Sequence, residues 1–267
     1  MIVSIANQKG GVGKTTTAVN LATKLSLLGN KTLLIDLDPQ TNLSEYLGYE
    51  FNESDYTITN ALSDVANSYY INNSPTKIVV HHSNNGVDYI PADFYLSSME
   101  NVLTNTISRE TVLKRVLNTD QLKSYDYIII DCLPSLGILT INALVASDHI
   151  IIPVQAQKFA LDGARLFVNT SYKMIKNTLN PNLNLLGLLI TMVDNTNMAK
   201  AIELQLRNEF KKAVFETTIS KSVEATNSTY LHKSLVIQKN SKLGKQYCQF
   251  TNEAIERIKN HEVWFWY

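Results

Sequence analysis

Residues Gly10-Gly11-Val12-Gly13-Lys14-Thr15 lie between a short apolar run and a helix-patterned segment, and no other stretch so narrows the folds open to this chain. Ile2 to Ala6 is apolar and short, as a buried strand is. Thr16 to Leu28 carries Ala18, Leu21, Ala22, Leu25 and Leu28 at helical spacing, and Gly29-Asn30 stops it. Thr32 to Leu37 is a second buried strand, leading into Asp38-Pro39. Strand, glycine loop, helix and strand make a βαβ unit. Glycines let the loop curl so that successive N–H groups converge on phosphate oxygens, and the helix adds its positive N-terminal end. Lys14 is placed for the β and γ phosphates of ATP, the Thr15 hydroxyl for Mg²⁺, and Thr16 for a donor near the α phosphate.

The alternation continues downstream. Asn52 to Asn85 is polar and predicts an irregular, peripheral stretch. Val87 to Pro91 reads as a strand and Tyr95 to Leu117 as one or two helices. Tyr127 to Asp131 and His149 to Val154 read as buried strands around a helix from Leu136 to Ala146. A helix over Leu161 to Ile175, a strand over Leu185 to Val193 and a helix over Ala199 to Lys212 follow. Ala213 to Ile219 predicts an edge strand, and Gln249 to Lys259 a closing helix. This order predicts a three-layer α/β fold, a mostly parallel twisted sheet flanked by helices, in a single domain over residues 1–267. Ligands of such sheets sit beyond the carboxyl ends of the strands. The loops at Gln8–Thr15, Asp38, Asp131 and Pro153 are therefore expected to converge.

Three carboxylates follow buried strands. Asp131 ends the strand Tyr127-Ile128-Ile129-Ile130 and is placed to hold Mg²⁺, usually through a water; its alternative is a helix cap. Asp36 and Asp38 are two residues apart, so both can face one site. Asp38 is the better candidate to orient or deprotonate an attacking water, and Asp36 to support the metal shell; turn chemistry before Pro39 is the plainer alternative. Lys9 is not required by an ordinary phosphate loop. Its position makes its own nucleotide hard to reach, which leaves a solvated surface lysine or a contact to the nucleotide of a second subunit. A charge pair at ~4 Å is worth about 4 kcal/mol at an effective dielectric of 20, so ATP could join two copies.

Apolar residues at 45% suffice for a substantial core. The net charge of zero removes the chain from the obvious polyanion binders, yet residues 197–260 hold eleven Lys and Arg against six Glu, a net +5. That third reads as a solvated surface or a shallow polyanion face. Cys132 and Cys248 make no disulfide framework, the first strand leaves no room for a signal peptide, and no apolar run reaches the ~18 residues of a membrane span; a cytoplasmic protein is expected. The histidines show no metal-ligand spacing.

The segment Ala6-Asn7-Gln8-Lys9-Gly10-Gly11-Val12-Gly13-Lys14-Thr15-Thr16-Thr17 resembles the deviant Walker A motif of the ParA/Soj partition ATPases. Leu34 to Gln40, Tyr125 to Cys132, Ser135 to Gly137, Thr140 to Leu144, Ile152 to Gln155 and Ala160 to Gly163 extend the likeness to about Asp194. The resemblance implies Lys9 acting across an ATP-dependent homodimer, Asp38 in hydrolysis and Asp131 at the metal. It implies non-specific DNA binding by that dimer, a ParB-type partner and a place on the nucleoid. The chain departs from the family at Leu133, where a proline is usual, and at Asn195, Lys221 and Glu224, near positions where arginines serve DNA. Glu224 would repel phosphate, so a DNA face must rely on lysines such as Lys200, Lys211, Lys212, Lys221, Lys233, Lys239, Lys242 and Lys245.

Two other branches share the loop. A membrane-cycling ATPase of the MinD type ends in a basic amphipathic helix. Here the closing helix precedes Trp264-Phe265-Trp266-Tyr267, short and weakly basic, and read as a core- or partner-docking tail; no membrane contact is expected. An electron-transferring iron protein needs two well-placed cysteines per subunit, which Cys132 and Cys248 do not supply.

Overall fold

A computed structural model describes residues 1–68 and 77–260; the aromatic tail at Trp264–Tyr267 lies outside the described residues. Seven strands form one sheet: β1 (Ile2–Ile5), β2 (Thr32–Leu37), β3 (His81–His82), β4 (Asp88–Ile90), β5 (Tyr127–Cys132), β6 (His149–Gln155) and β7 (Asn184–Thr191). Their order is β3-β4-β2-β5-β1-β6-β7, parallel except for the β3–β4 pair at one edge. The helices are α1 (Lys14–Leu27), α2 (Asn42–Tyr46), α3 (Ile58–Ala66), α4 (Met99–Thr104), α5 (Val112–Leu117), α6 (Asp120–Lys123), α7 (Ile138–Ala146), α8 (Ala160–Leu166), α9 (Lys173–Thr178), α10 (Asn197–Phe210), α11 (Glu224–Tyr230) and α12 (Lys242–Lys259).

Alternation along each buried strand divides the core in two. Leu33, Ile35, Ile128, Ile130, Ile150 and Ile152 pack with α3, α5 and α7 on one face. Leu34, Ile129 and Ile151 pack with α1 and α12 on the other. Both faces are covered, which is why these strands read as continuous apolar runs.

Four stretches differ from the sequence reading. Residues 52–85 hold a helix, α3, which buries Ile58, Ala61, Leu62 and Val65 at helical spacing. Thr57 caps it in a reciprocal pair with Asn60, and Asp93 accepts from Thr57 and Thr59. The helix expected over 161–175 contains a π turn at Phe167–Tyr172, and the Tyr172 hydroxyl accepts from the Leu185 N–H. The closing helix starts at Lys242, seven residues before the position expected from its apolar pattern, with Ser241 as its cap.

The fourth difference is Ala213–Ile219, which forms no strand: Val214 makes a single bridge to Leu188 of β7, and Ser220, just past the segment, a single bridge to Val193. Side chains take the backbone groups a ladder would use. Arg207 donates to the carbonyls of Phe215 and Glu216, and Glu253 accepts the N–H groups of Glu216 and Thr217. Buried Arg257 donates to the carbonyls of Leu186 and Val214, pairs with Glu253 at 2.8 Å and lies 4.1 Å from the Phe215 ring centre. The β6–β7 register shifts beside Ile150, and Gly187 follows the shift. A Cβ at Gly187 would stand 2.7 Å from both Arg257 Nη1 and Phe215 Cε2. Gly187→Ala is therefore expected to cost ~1–3 kcal/mol by overpacking. Urea unfolding checks it; an unchanged midpoint would show that the guanidinium has room to move.

Candidate nucleotide site

Gly11 and Gly13 hold φ angles of 71° and 86°, a left-handed backbone that suits glycine. Gly13 is also the N-cap of α1, and its lack of a side chain leaves the first N–H groups of the helix uncovered. Polar side chains fasten the loop. Asn7 Oδ1 accepts the Lys9 N–H at 3.0 Å while Asn7 Nδ2 donates to the Pro153 carbonyl at 2.7 Å. Thr191 Oγ1 donates to the Val12 carbonyl at 2.9 Å. Lys14 Nζ donates back to the Lys9 carbonyl at 3.3 Å.

A cleft of about 330 Å³ lies against this loop, lined by Gly10, Gly11, Gly13, Lys14, Thr15 and Thr16 together with Asp38, Pro134 and Met192. The loops expected to converge do so. Val12 and Lys9 are not among the lining residues: the Val12 side chain is buried and Lys9 is half-buried. A larger cavity, about 520 Å³, opens at the opposite end of the sheet beside Ile2 and Asp148, and none of residues 9–16 lines it.

Asp36 and Asp131 face each other across the β2–β5 register, and both are buried. Burial pushes the Asp36 carboxyl up to about 6 despite hydrogen bonds from Ser44 and from the Asp38 N–H. Those bonds occupy both Asp36 oxygens: Oδ2 accepts the Ser44 N–H and hydroxyl, and Oδ1 the Asp38 N–H. Asp36 thus braces the turn that carries Asp38. Burial, then the Asp36 charge, push the Asp131 carboxyl well above its ordinary range, opposed by the Thr15 hydroxyl and Lys14. Asp131 Oδ1 is buried and has no hydrogen-bond partner. An orphaned carboxylate oxygen beside a threonine hydroxyl fits a hard cation such as Mg²⁺. Among the described residues no group of three or more His, Cys, Asp or Glu could hold a metal by itself. A cation here would need further oxygens, which phosphate offers.

Burial lowers the Lys14 ammonium, and Asp131 and Asp38 partly restore it. Asp38 lines the cleft, with Oδ1 accepting the Gln40 N–H at 2.9 Å. Burial pushes the Cys132 thiol far up, so it is inert. The sequence reading assigned no role to Asn7, Ser44, Thr191 or Met192. The signal for Asn7 was a polar residue directly after an apolar strand; Ser44 and Thr191 left none that spacing could show.

An AAA domain family model matches residues 1–185. The chain is 40% identical over 237 residues to sporulation initiation inhibitor protein Soj of Bacillus subtilis, covering 88% of this chain and 90% of that protein. It is 34% identical over 265 residues to chromosome partitioning protein ParA of Caulobacter vibrioides, covering 98% and 96%. Among solved structures it is similar to cobyrinic acid a,c-diamide synthase of Mycobacterium smegmatis with bound ATP analog and magnesium, at 30% identity and a TM-score of 0.81, covering 97% and 96%.

The raised carboxyls make a prediction about pH. The folded protein holds these protons more tightly than the unfolded chain does. The contribution of Asp36 to the stability of the nucleotide-free protein therefore falls as pH rises from 3.8 towards about 6. Asp131→Asn removes one of the two buried charges. It is expected to raise the melting temperature at pH 8, by roughly 2–4 °C for each kcal/mol of charge burial relieved. The gain should vanish at a pH well below 3.8, where the carboxyls are protonated in both states. Thermal unfolding at the two pH values checks it, and equal melting temperatures at pH 8 would remove the charge-burial account.

Proposed function

Because the chain belongs to the ParA/Soj family of P-loop ATPases, we propose that its glycine loop runs an ATP-dependent dimer switch for DNA segregation. The observation that carries this reading is the divergence of two lysines on one loop. Lys14 lines the cleft, whereas Lys9 does not, and the Lys9 backbone accepts the Lys14 ammonium. An ammonium excluded from its own site is free to meet the nucleotide of a second copy.

ATP and Mg²⁺ are the cofactors. In this reading the N–H groups of Gly10, Gly11, Val12 and Gly13 cradle the phosphates, Lys14 neutralises β and γ oxygens, and Thr16 adds a donor. Thr15 and Asp131 hold the metal, with Asp36 bracing the turn beside them. Bound Mg²⁺ supplies charge neutralisation at the β and γ oxygens. Asp38 orients the attacking water from the cleft wall. Intrinsic turnover is slow, and a ParB-type partner stimulates it.

The paired copies hold DNA without sequence preference, which places the protein on the nucleoid in the cytoplasm. Lys200, Lys211, Lys212, Lys221, Lys233, Lys239, Lys242 and Lys245 are all exposed, which supports a phosphate-binding face. Glu224 is less of an obstacle than its charge suggests: its Oε2 accepts the Ser241 hydroxyl and the Leu243 N–H at the start of α12. Among the described residues no helix is long and apolar enough to cross a membrane.

Lys9→Ala and Lys9→Gln are expected to keep nucleotide binding but to lose ATP-induced pairing. DNA retention at low salt should fall with it, because two weak basic faces gain about 100-fold or more from being joined. Sedimentation with and without ATP and Mg²⁺, together with turnover, checks this. Pairing and turnover both unchanged would remove the switch.

A further inference from the structure

The cavity of about 520 Å³ at the far end of the sheet is larger than the nucleotide cleft and shares no residue with it. It opens beside Ile2 and Asp148, at the amino ends of β1 and β6, and beside Asn182, just before β7. Lys114, Arg115 and Leu117 of α5, Lys123 of α6, and Val145 and Ala146 at the end of α7 complete its wall. Its volume falls among those of small-molecule sites, roughly 300–1,000 Å³.

Charge decides what such a cavity can take. Lys114, Arg115 and Lys123 line it against one carboxylate, Asp148, which leaves two positive charges in excess. Lys114 and Lys123 are exposed, and Arg115 is half-buried. Lys123 pairs with Asp120 at 3.6 Å, but Asp120 is fully exposed and water screens the pair. Asp148 is engaged within the protein, where its Oδ2 accepts the Ile2 N–H at 2.8 Å. The carboxyl-terminal end of α7 would by itself repel an anion. Side chains take its carbonyls instead. Asn180 Nδ2 donates to the carbonyls of Leu144 and Ser147 at 3.0 and 2.7 Å, and Ser147 Oγ donates to that of Ala143 at 2.7 Å. Asn180 is buried and lines the cavity.

We propose that this cavity is a second ligand site, for a small phosphate monoester with an apolar body. A phosphate monoester carries about −1.5 to −2 charges near pH 7, which matches the excess of two positive charges. Lysine meets such a group as a point charge and arginine as a planar fork. Ile2, Leu117, Val145 and Ala146 offer the apolar body a wall of its own. A concave site of this size suits a small molecule better than the convex backbone of a duplex. The site goes beyond the partition reading and needs neither a second copy nor DNA.

The test treats the full chain with pyridoxal 5′-phosphate. Its aldehyde condenses with a lysine amine to an imine, releasing water; borohydride reduces the imine to a stable amine, and peptide mapping finds the lysine. Pyridoxal, without the phosphate, is the control. Lys114 and Lys123 are expected to label saturably, and about tenfold or more faster with the phosphate than without it. Exposed Lys200 and Lys259 should label slowly with either. Excess pyridoxine 5′-phosphate, which has no aldehyde, should protect Lys114 and Lys123. Ala146→Leu narrows the cavity and keeps both lysines, so it should abolish the phosphate-dependent acceleration. Should that variant fail to fold, Lys123→Gln, read at Lys114, takes its place, with an expected loss of about tenfold. Labelling of Lys114 and Lys123 no faster than that of Lys200 would overturn the site. So would an acceleration that persists in the folded variant. Protection by a short DNA duplex, at equal phosphate concentration, as strong as that by pyridoxine 5′-phosphate would overturn it too, because the lysines would then belong to a nucleic-acid face.

Discussion

Lys14, Asp36 and Asp131 are buried together at the head of a parallel sheet, and burial disfavours the charge on each. An isolated buried charge costs several kcal/mol, so such groups persist only where partners share the cost. Asp36 has its partners within the protein, in Ser44 and the Asp38 N–H. Asp131 has fewer, and one of its oxygens accepts nothing. Lys14 is held among carboxylates with a single backbone carbonyl in reach. The protein leaves one cation and one anion short of partners, side by side. A metal–phosphate group supplies both signs at that spacing, which is why the same burial that costs stability favours binding.

The rest of the site follows from holding those groups still. The phosphate loop is fastened to β6 through Asn7 and to β7 through Thr191. The turn carrying Asp38 is fastened to α2 through Asp36 and Ser44, and Ser44 Oγ in turn accepts the Ala92 N–H after β4. Each fastener is a short polar side chain buried where strands end and backbone groups lose their ladder partners. Four strands thereby share one rigid head, and preorganisation of this kind lowers the cost of ordering a ligand.

The parts visible in the sequence were those with a period or a spacing. Buried strands such as Ile128–Ile130 and the glycine loop before α1 announce themselves because sheet burial and phosphate geometry each impose a local pattern. Ser44 and Thr191 act through bonds to Asp36, Ala92 and Val12 that no local spacing marks, and Asn7 shows only as a polar residue directly after an apolar strand. The helix α3 was hidden among polar neighbours, since Thr59, Asn60, Ser63 and Asp64 interrupt its apolar positions. Ala213–Ile219 has strand-like composition, yet Arg207, Arg257 and Glu253 take its backbone groups, a competition settled only in three dimensions. Glu224 read as a repulsive surface charge because its engagement with Ser241 spans a loop.

A net charge of zero conceals two segments of opposite charge. The acids concentrate in residues 32–108 and the bases in residues 197–260. Screening limits such fields to roughly 8–10 Å in physiological salt, so each face acts on what touches it and hardly on the other. Glu100 abuts Gly137 on the acidic side, and Thr191 donates to the Val12 carbonyl on the side leading to the basic third.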